Sequence, residues 1–228
     1  MRRWSVRELA KELSLSEQRL RVMARAGQLP ATKTGERWVI EADPTRLRRP
    51  TPGRPLAAPN AWALLALLSG DSPDWVHPSV RSRLRRRLTD IDWLEAALIH
   101  SEPRAQILRC RVLPGDLSKL RVECHLVYSG LSANHAELDV LPDPQRVDAY
   151  VAENLLRAIK LRFRPQQPSS NPNLTLRVPS HDWILRQEAC APQAVVAADL
   201  LGHEDPRVAR AARRLLGRVI HDRDPRSR

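Results

Sequence analysis

The amino-acid sequence predicts an α+β protein built in two parts: a small N-terminal helix-and-hairpin unit and a larger domain with a mixed sheet. Three observations carry that prediction. Within the first 42 residues, two short runs with apolar positions at helical spacing precede an alternating hairpin pattern. A proline- and arginine-rich stretch, "ADPTRLRRPTPGRPLAAPN", then occupies 42–60. Beyond it, strand-like alternations are interspersed with helical runs to about residue 220. The expected organisation is therefore 1–42 as one domain, 43–59 as a semi-rigid linker and 60–222 as the second domain.

The first helix is expected to start at Ser5, because Ser5 and Glu8 form the S-x-x-E capping box that satisfies free first-turn amides. Val6, Leu9, Ala10 and Leu13 follow on one apolar face. Ser14 and Leu15 read as a short turn, and Ser16 as the cap of a second helix from Glu17 to about Ala26. Leu20, Met23 and Ala24 face inward in that helix, and Gly27 stops it. "ATKTGERWVI" reads as two short extended runs around Thr34, Gly35 and Glu36.

Two short helices joined by a tight turn make a helix-turn-helix, whose second helix can enter the major groove of DNA. The outward positions Gln18, Arg19, Arg21 and Arg25 are long and polar, and Ser16 sits at the helix start. Arginine reads guanine and glutamine reads adenine in a bidentate manner, each pair worth about 1–3 kcal/mol of discrimination. Lys33 and Arg37 flank the hairpin tip, where a wing touches phosphates. These seven residues are the expected DNA-binding set.

The stretch resembles the winged helix-turn-helix of the excisionase and MerR-like superfamily, through Ser5, Glu8, Ala10, Leu13, Leu15, Ser16, Arg21, Gly27, Leu29 and Pro30 and the hairpin residues Gly35, Arg37 and Trp38. Ser14 stands where that superfamily usually has glycine.

Charge agrees with a nucleic-acid partner. The chain carries 38 Lys and Arg against 26 Asp and Glu, and 13 basic against 6 acidic residues lie in 1–59. Such a local excess attracts a polyanion and speeds encounter with it. Residues 60–100 are neutral, with 5 of each sign. No apolar run approaches the roughly 18 residues of a membrane span, and the N-terminus has no secretory pattern, so a cytoplasmic, nucleoid-associated protein is expected. Three cysteines, 110, 124 and 190, are far apart and indicate neither a disulfide framework nor a zinc site.

In the second domain, Asn60 is expected to cap an apolar helix over 61–68. A basic helix follows near 79–88, with Leu84 and Leu88 on a buried edge and arginines solvated around it. A helix over 90–100 has Ile91, Leu94, Leu98 and Ile99 inward. Strands are expected at 105–112, 125–129, 147–151 and 173–178, with a turn at Pro114, Gly115 and Asp116 leading into a short helix to about Leu120, and a helix from Ala152 to Lys160. Two helices close the chain: 193–201, and one capped by Asp205 running to about Ile220.

No catalytic or metal-binding constellation is expected, and no cofactor. G-x-S-x-G, P-loop, HExxH and EF-hand patterns are absent, and the seven histidines lack ligand spacing. Cys124 and His125, adjacent on an expected strand, would point to opposite faces. One alternative is a nucleotidyltransferase-type enzyme, with Glu137 and Asp139 holding a metal ion after the Ser129-Gly130 turn; no third carboxylate is assigned by spacing, although Asp148 is available. Another is an excisionase-like factor that bends DNA.

Across most of its length the chain is similar, in pieces, to the antitoxins of type IV abortive-infection systems. The matching residues are Tyr128, Ser129, Ser132, Ala133 and Leu138, the segments 53–56 and 61–65, and Ala191, Pro192, 195–197, Asp199, Leu200 and 205–207. That resemblance implies an autorepressor of a toxin–antitoxin operon with a nearby-encoded toxin as partner, and the small size of the DNA-binding module leads to the expectation of a homodimer on double-stranded operator repeats. It also implies that Glu137 and Asp139 are not an active site.

Overall fold

The structure, a computed structural model, describes residues 2–13, 17–25, 29, 31–34, 37–42, 54–133, 143–166 and 171–223. The chain is α+β and divides into two compact units, Met1–Thr51 and Pro52–Arg228.

The first unit orders as β1 (Arg2–Ser5), α1 (Val6–Leu13), α2 (Glu17–Arg25), β2 (Ala31–Thr34) and β3 (Arg37–Ala42). Its strands form an antiparallel sheet in the order β1-β3-β2. The capping box is present: the Ser5 amide donates to Glu8 Oε2 at 3.0 Å, and the Glu8 amide donates to Ser5 Oγ at 3.2 Å. Val6, Leu9, Ala10, Leu20, Leu29 and Ile40 pack into one small core, edged by Trp4 and Trp38. Strand β1 is a departure from the sequence expectation, which left residues 2–4 without structure. Trp4 pairs with Ile40 across the sheet and closes one side of the core. Its signal is a long-range register, not a local pattern.

In the second unit, helix α3 (Ala58–Ser69) is buried on all sides, with Ala61 through Leu68 fully sequestered. It begins two residues before the expected cap Asn60. Proline is tolerated in a first helical turn because its missing N–H has no partner there anyway, so Pro59 sits inside the helix and Ala57 is the cap residue. The Ala58 amide is met instead by Glu102 Oε2 at 3.3 Å. Helix α4 (Pro78–Arg85) buries Leu84 and leaves Arg83 and Arg85 exposed. Helix α5 (Ile91–Ile99) is capped by Asp90, which accepts from the Trp93 amide. Ile99, expected inward, is 39% exposed at the end of that helix.

The second sheet has four strands: β4 (Ala105–Cys110), β5 (Val127–Tyr128), β6 (Val147–Tyr150) and β7 (Leu174–Pro179). Their order is β4-β7-β6-β5, with β6 and β7 parallel and the other two pairs antiparallel. Parallel neighbours need a crossover, which α7 (Glu153–Phe163) supplies between β6 and β7. Strand β5 is shorter than expected, and Cys124 and His125 lie outside it, at the end of α6 (Pro114–Glu123).

Alternation divides the sheet residues between two faces. Cys110, Val147, Ala149, Leu174 and Leu176 join Leu117 and Leu120 of α6 and Leu156 and Ile159 of α7. Ala105, Tyr150 and Val127 join the larger core with α3, α8 (Gln193–Leu200) and α9 (Pro206–His221). Asp205 caps α9 by accepting the Arg207 amide at 2.8 Å. Trp62 anchors this core: its indole N–H donates to the Arg104 carbonyl, and its ring meets Tyr150 and Trp183 edge-on at 5.7 and 6.1 Å. No described helix is long and apolar enough to cross a membrane.

Candidate functional site

The first unit places most of the expected DNA-binding residues on three elements. Gln18, Arg19, Arg21 and Arg25 belong to α2, Lys33 to β2, and Arg37 opens β3 opposite Thr34. Leu20 is fully buried on the inner side of α2, whereas Gln18 and Arg21 are exposed. Lys33 is exposed and registers with Trp38. Ser16 lies outside the described residues. Arg21 is held along its own helix by Glu17, its Nη2 donating to Oε2 at 2.6 Å with both side chains nearly half exposed. At such exposure the pair is worth only a few tenths of a kcal/mol. It orients the arginine without locking it.

The second unit contains a feature that the sequence reading did not isolate. Asp199, in the last turn of α8, has a side chain only 1% exposed. Its carboxylate accepts from Ser129 Oγ at 2.7 Å, from the Tyr150 hydroxyl at 2.9 Å and from Arg104 Nη2 at 2.9 Å. Arg177 Nη1 stands 3.9 Å away. Arg177 in turn binds Asp148 in a two-pronged pair, Nε to Oδ1 at 2.7 Å and Nη2 to Oδ2 at 2.8 Å. Two cations and two anions thus balance in a low-dielectric setting, where an unpaired member would be costly.

Burial pushes the Asp148 carboxyl above the usual aspartate range, against the opposing pull of Arg177. The Tyr150 phenol is pushed well up, first by burial and then by the Asp199 charge. For Arg177, burial works against the charge, but Asp199 and Asp148 more than compensate and keep it protonated. Arg104 Nη1 has no hydrogen-bond partner and is buried. The guanidinium lies 5.9 Å from the Trp62 ring centroid, and this cation–π contact partly offsets the missing bond.

The network explains why Ser129 and Gly130 sit where they do. Ser129 is fully buried and commits its hydroxyl to Asp199. Gly130 adopts φ +53°, and a Cβ there would lie 2.2 Å from Asp148 Oδ2. Only glycine lets the backbone pass so close to that carboxylate. Asp148, the carboxylate available as a third metal ligand in the enzyme alternative, is engaged by Arg177. Glu137 and Asp139 lie outside the described residues. Among the described residues, no group of three or more His, Cys, Asp or Glu side chains is arranged to hold a metal ion.

Beside the network, a cleft of about 790 Å³ opens over the Tyr150 face of the sheet. Its floor includes Ile107, Arg109, Thr175, Arg177, Asp148 and Tyr150, and one wall is the chain from Leu98 to Ala105. The signal that a sequence reading can use here is a lone aspartate in an apolar helix, "AVVAADL", which needs buried donors wherever it packs.

No family model, curated protein or solved structure matches the chain.

Proposed function

We propose that the protein is a sequence-specific DNA-binding transcriptional regulator, an antitoxin-like autorepressor of its own toxin–antitoxin operon. The observation that carries this reading is the build of the first unit. A capped helix, a second helix with Gln18 and Arg21 outward, and a hairpin with exposed Lys33 share one small core. In this reading the unit is a winged helix-turn-helix. Helix α2 enters the major groove, Gln18, Arg19, Arg21 and Arg25 meet base edges and phosphates, and Lys33 and Arg37 contact the backbone beside it.

A module of this size makes few contacts, so useful specificity needs two copies on operator repeats. Homodimerisation, a cognate toxin encoded nearby and a place among nucleoid-associated proteins belong to the same proposal. The test is fluorescence anisotropy of the full chain on the DNA upstream of its own gene, on a scrambled duplex and on a single half-site, over a salt series. The reading expects the repeat to bind tighter than the half-site, with a steep loss of affinity as salt rises. Equal affinity for repeat, half-site and scrambled duplex overturns it.

A further inference from the structure

Strand β4 lies at the edge of its sheet, with β7 as its one partner strand among the described residues. In an antiparallel pair, successive residues alternate between bonding the partner and pointing away from it. The Cys110 carbonyl accepts from Asn173 and the Arg104 carbonyl from Ser180, so even-numbered positions face β7. Arg111 exchanges both of its backbone bonds with Gln166, which covers the outer edge at that end. Between these ends, the N–H and C=O groups of Ile107 and Arg109 point outward, and no described backbone group meets them. An open edge of about 17 Å, residues 105–109, remains.

The side chains at this edge have a definite chemistry. Ile107 is 43% exposed and Ile99 is 39% exposed, and both line the cleft. Arg109 is exposed, lines the same cleft and makes no ion pair among the described residues. Arg104 and Arg177, by contrast, are taken up by Asp199 and Asp148. The cleft as a whole is charge-balanced: Arg104, Arg109, Arg146 and Arg177 face Glu102, Asp148, Asp199 and Glu204. That balance disfavours a polyanion; among the lining arginines, Arg104, Arg146 and Arg177 have ion-pair partners, so Arg109, on the edge strand itself, is the one placed to meet a carboxylate of an added strand.

We propose that the open edge of β4 is a docking site for an extended segment of a partner protein. The segment adds a fifth strand and presents an apolar residue to Ile107 and, two positions away, a carboxylate to Arg109. Main-chain bonds supply affinity in this mode, and alternate side chains supply selectivity. The inference does not depend on DNA binding by the first unit.

The experiment uses the full chain and two labelled octapeptides of threonine with one valine. They carry either glutamate or lysine two positions from that valine. The site predicts that the glutamate peptide binds the wild-type chain roughly ten-fold tighter than the lysine peptide, and that Arg109→Glu reverses the order. Hydrogen exchange at the Ile107 and Arg109 amides slows when the glutamate peptide is present. Circular dichroism of the variant controls for folding. Binding of neither peptide, or binding indifferent to residue 109, overturns the proposal. So does a concentration-dependent dimer that Ile107→Lys abolishes, since the edge would then belong to a second copy of this chain.

Discussion

The Ser129 hydroxyl donates to the Asp199 carboxylate at 2.7 Å, joining residues 70 positions apart in the chain, with Ser129 fully buried and Asp199 1% exposed at its side chain. That bond links the start of the 3₁₀ turn at Gly130–Ser132 to helix α8. Tyr150 and Arg104 converge on the same carboxylate from β6 and from the residue before β4.

Removing the hub leaves two buried guanidiniums short of charge. Asp199→Ala is expected to destabilise the second unit by about 3–5 kcal/mol, the usual result of breaking a buried ion pair from one side. Tyr150→Phe removes one of several donors and costs about 1 kcal/mol. Urea denaturation of both variants checks the ratio. Equal, small losses contradict the hub.

Gly130→Ala tests the close approach to Asp148. With φ at +53° and only 2.2 Å available between the new Cβ and Oδ2, the change combines backbone strain with a steric clash. A loss of about 1–3 kcal/mol is expected. A neutral result in thermal melts would show that the turn and the carboxylate can separate freely.

Cys110 provides a pH signature. Burial raises its thiol to about 11 from the ordinary 9.0, and the thiol donates to the Leu174 carbonyl at 3.6 Å. A raised native pKa means that the unfolded chain releases this proton first as pH climbs. The stabilising contribution is therefore complete below pH 9 and is lost as pH rises toward about 11. Stability measured over that window should fall more steeply for the wild type than for Cys110→Ala. Iodoacetamide at neutral pH should leave Cys110 unlabelled until the chain is unfolded.

Glu17 and Arg21 give a prediction specific to the DNA reading. Glu17→Gln removes an acid beside the expected groove-facing surface and frees Arg21 from its 2.6 Å partner. Affinity for every duplex is expected to rise, with a smaller preference for the operator. Competition titrations with bulk DNA measure that preference, and an unchanged preference would place Arg21 away from the bases.

Local signals in the sequence were enough for much of this fold. The Ser5/Glu8 box, the Asp205 cap and the strand patterns over β4 and β7 each act within a few residues, so pattern alone reveals them. Strand β1 was not legible, because Arg2–Ser5 becomes a strand only by registering with 39–42. Of the Asp199 network, the lone aspartate in an apolar helix was legible but its partners were not. Its bonds span 49, 70 and 95 positions, and spacing carries no mark of such partners. Ser129 and Gly130 did stand out, but as a nucleotide-binding turn, because a serine–glycine pair looks alike whether it cradles a phosphate or seats a neighbouring carboxylate.

The central claim is that helix α2 reads DNA sequence, and the ratio of affinities for the upstream duplex and its scrambled counterpart tests it most directly. Measured at physiological salt for the wild type and for Arg21→Ala, the account predicts a large wild-type ratio. In the variant that ratio should shrink by the equivalent of about 1–3 kcal/mol, the worth of one bidentate base contact. A ratio near one in the wild type, or one untouched by Arg21→Ala, would contradict the account and leave the basic first unit as an electrostatic tether only.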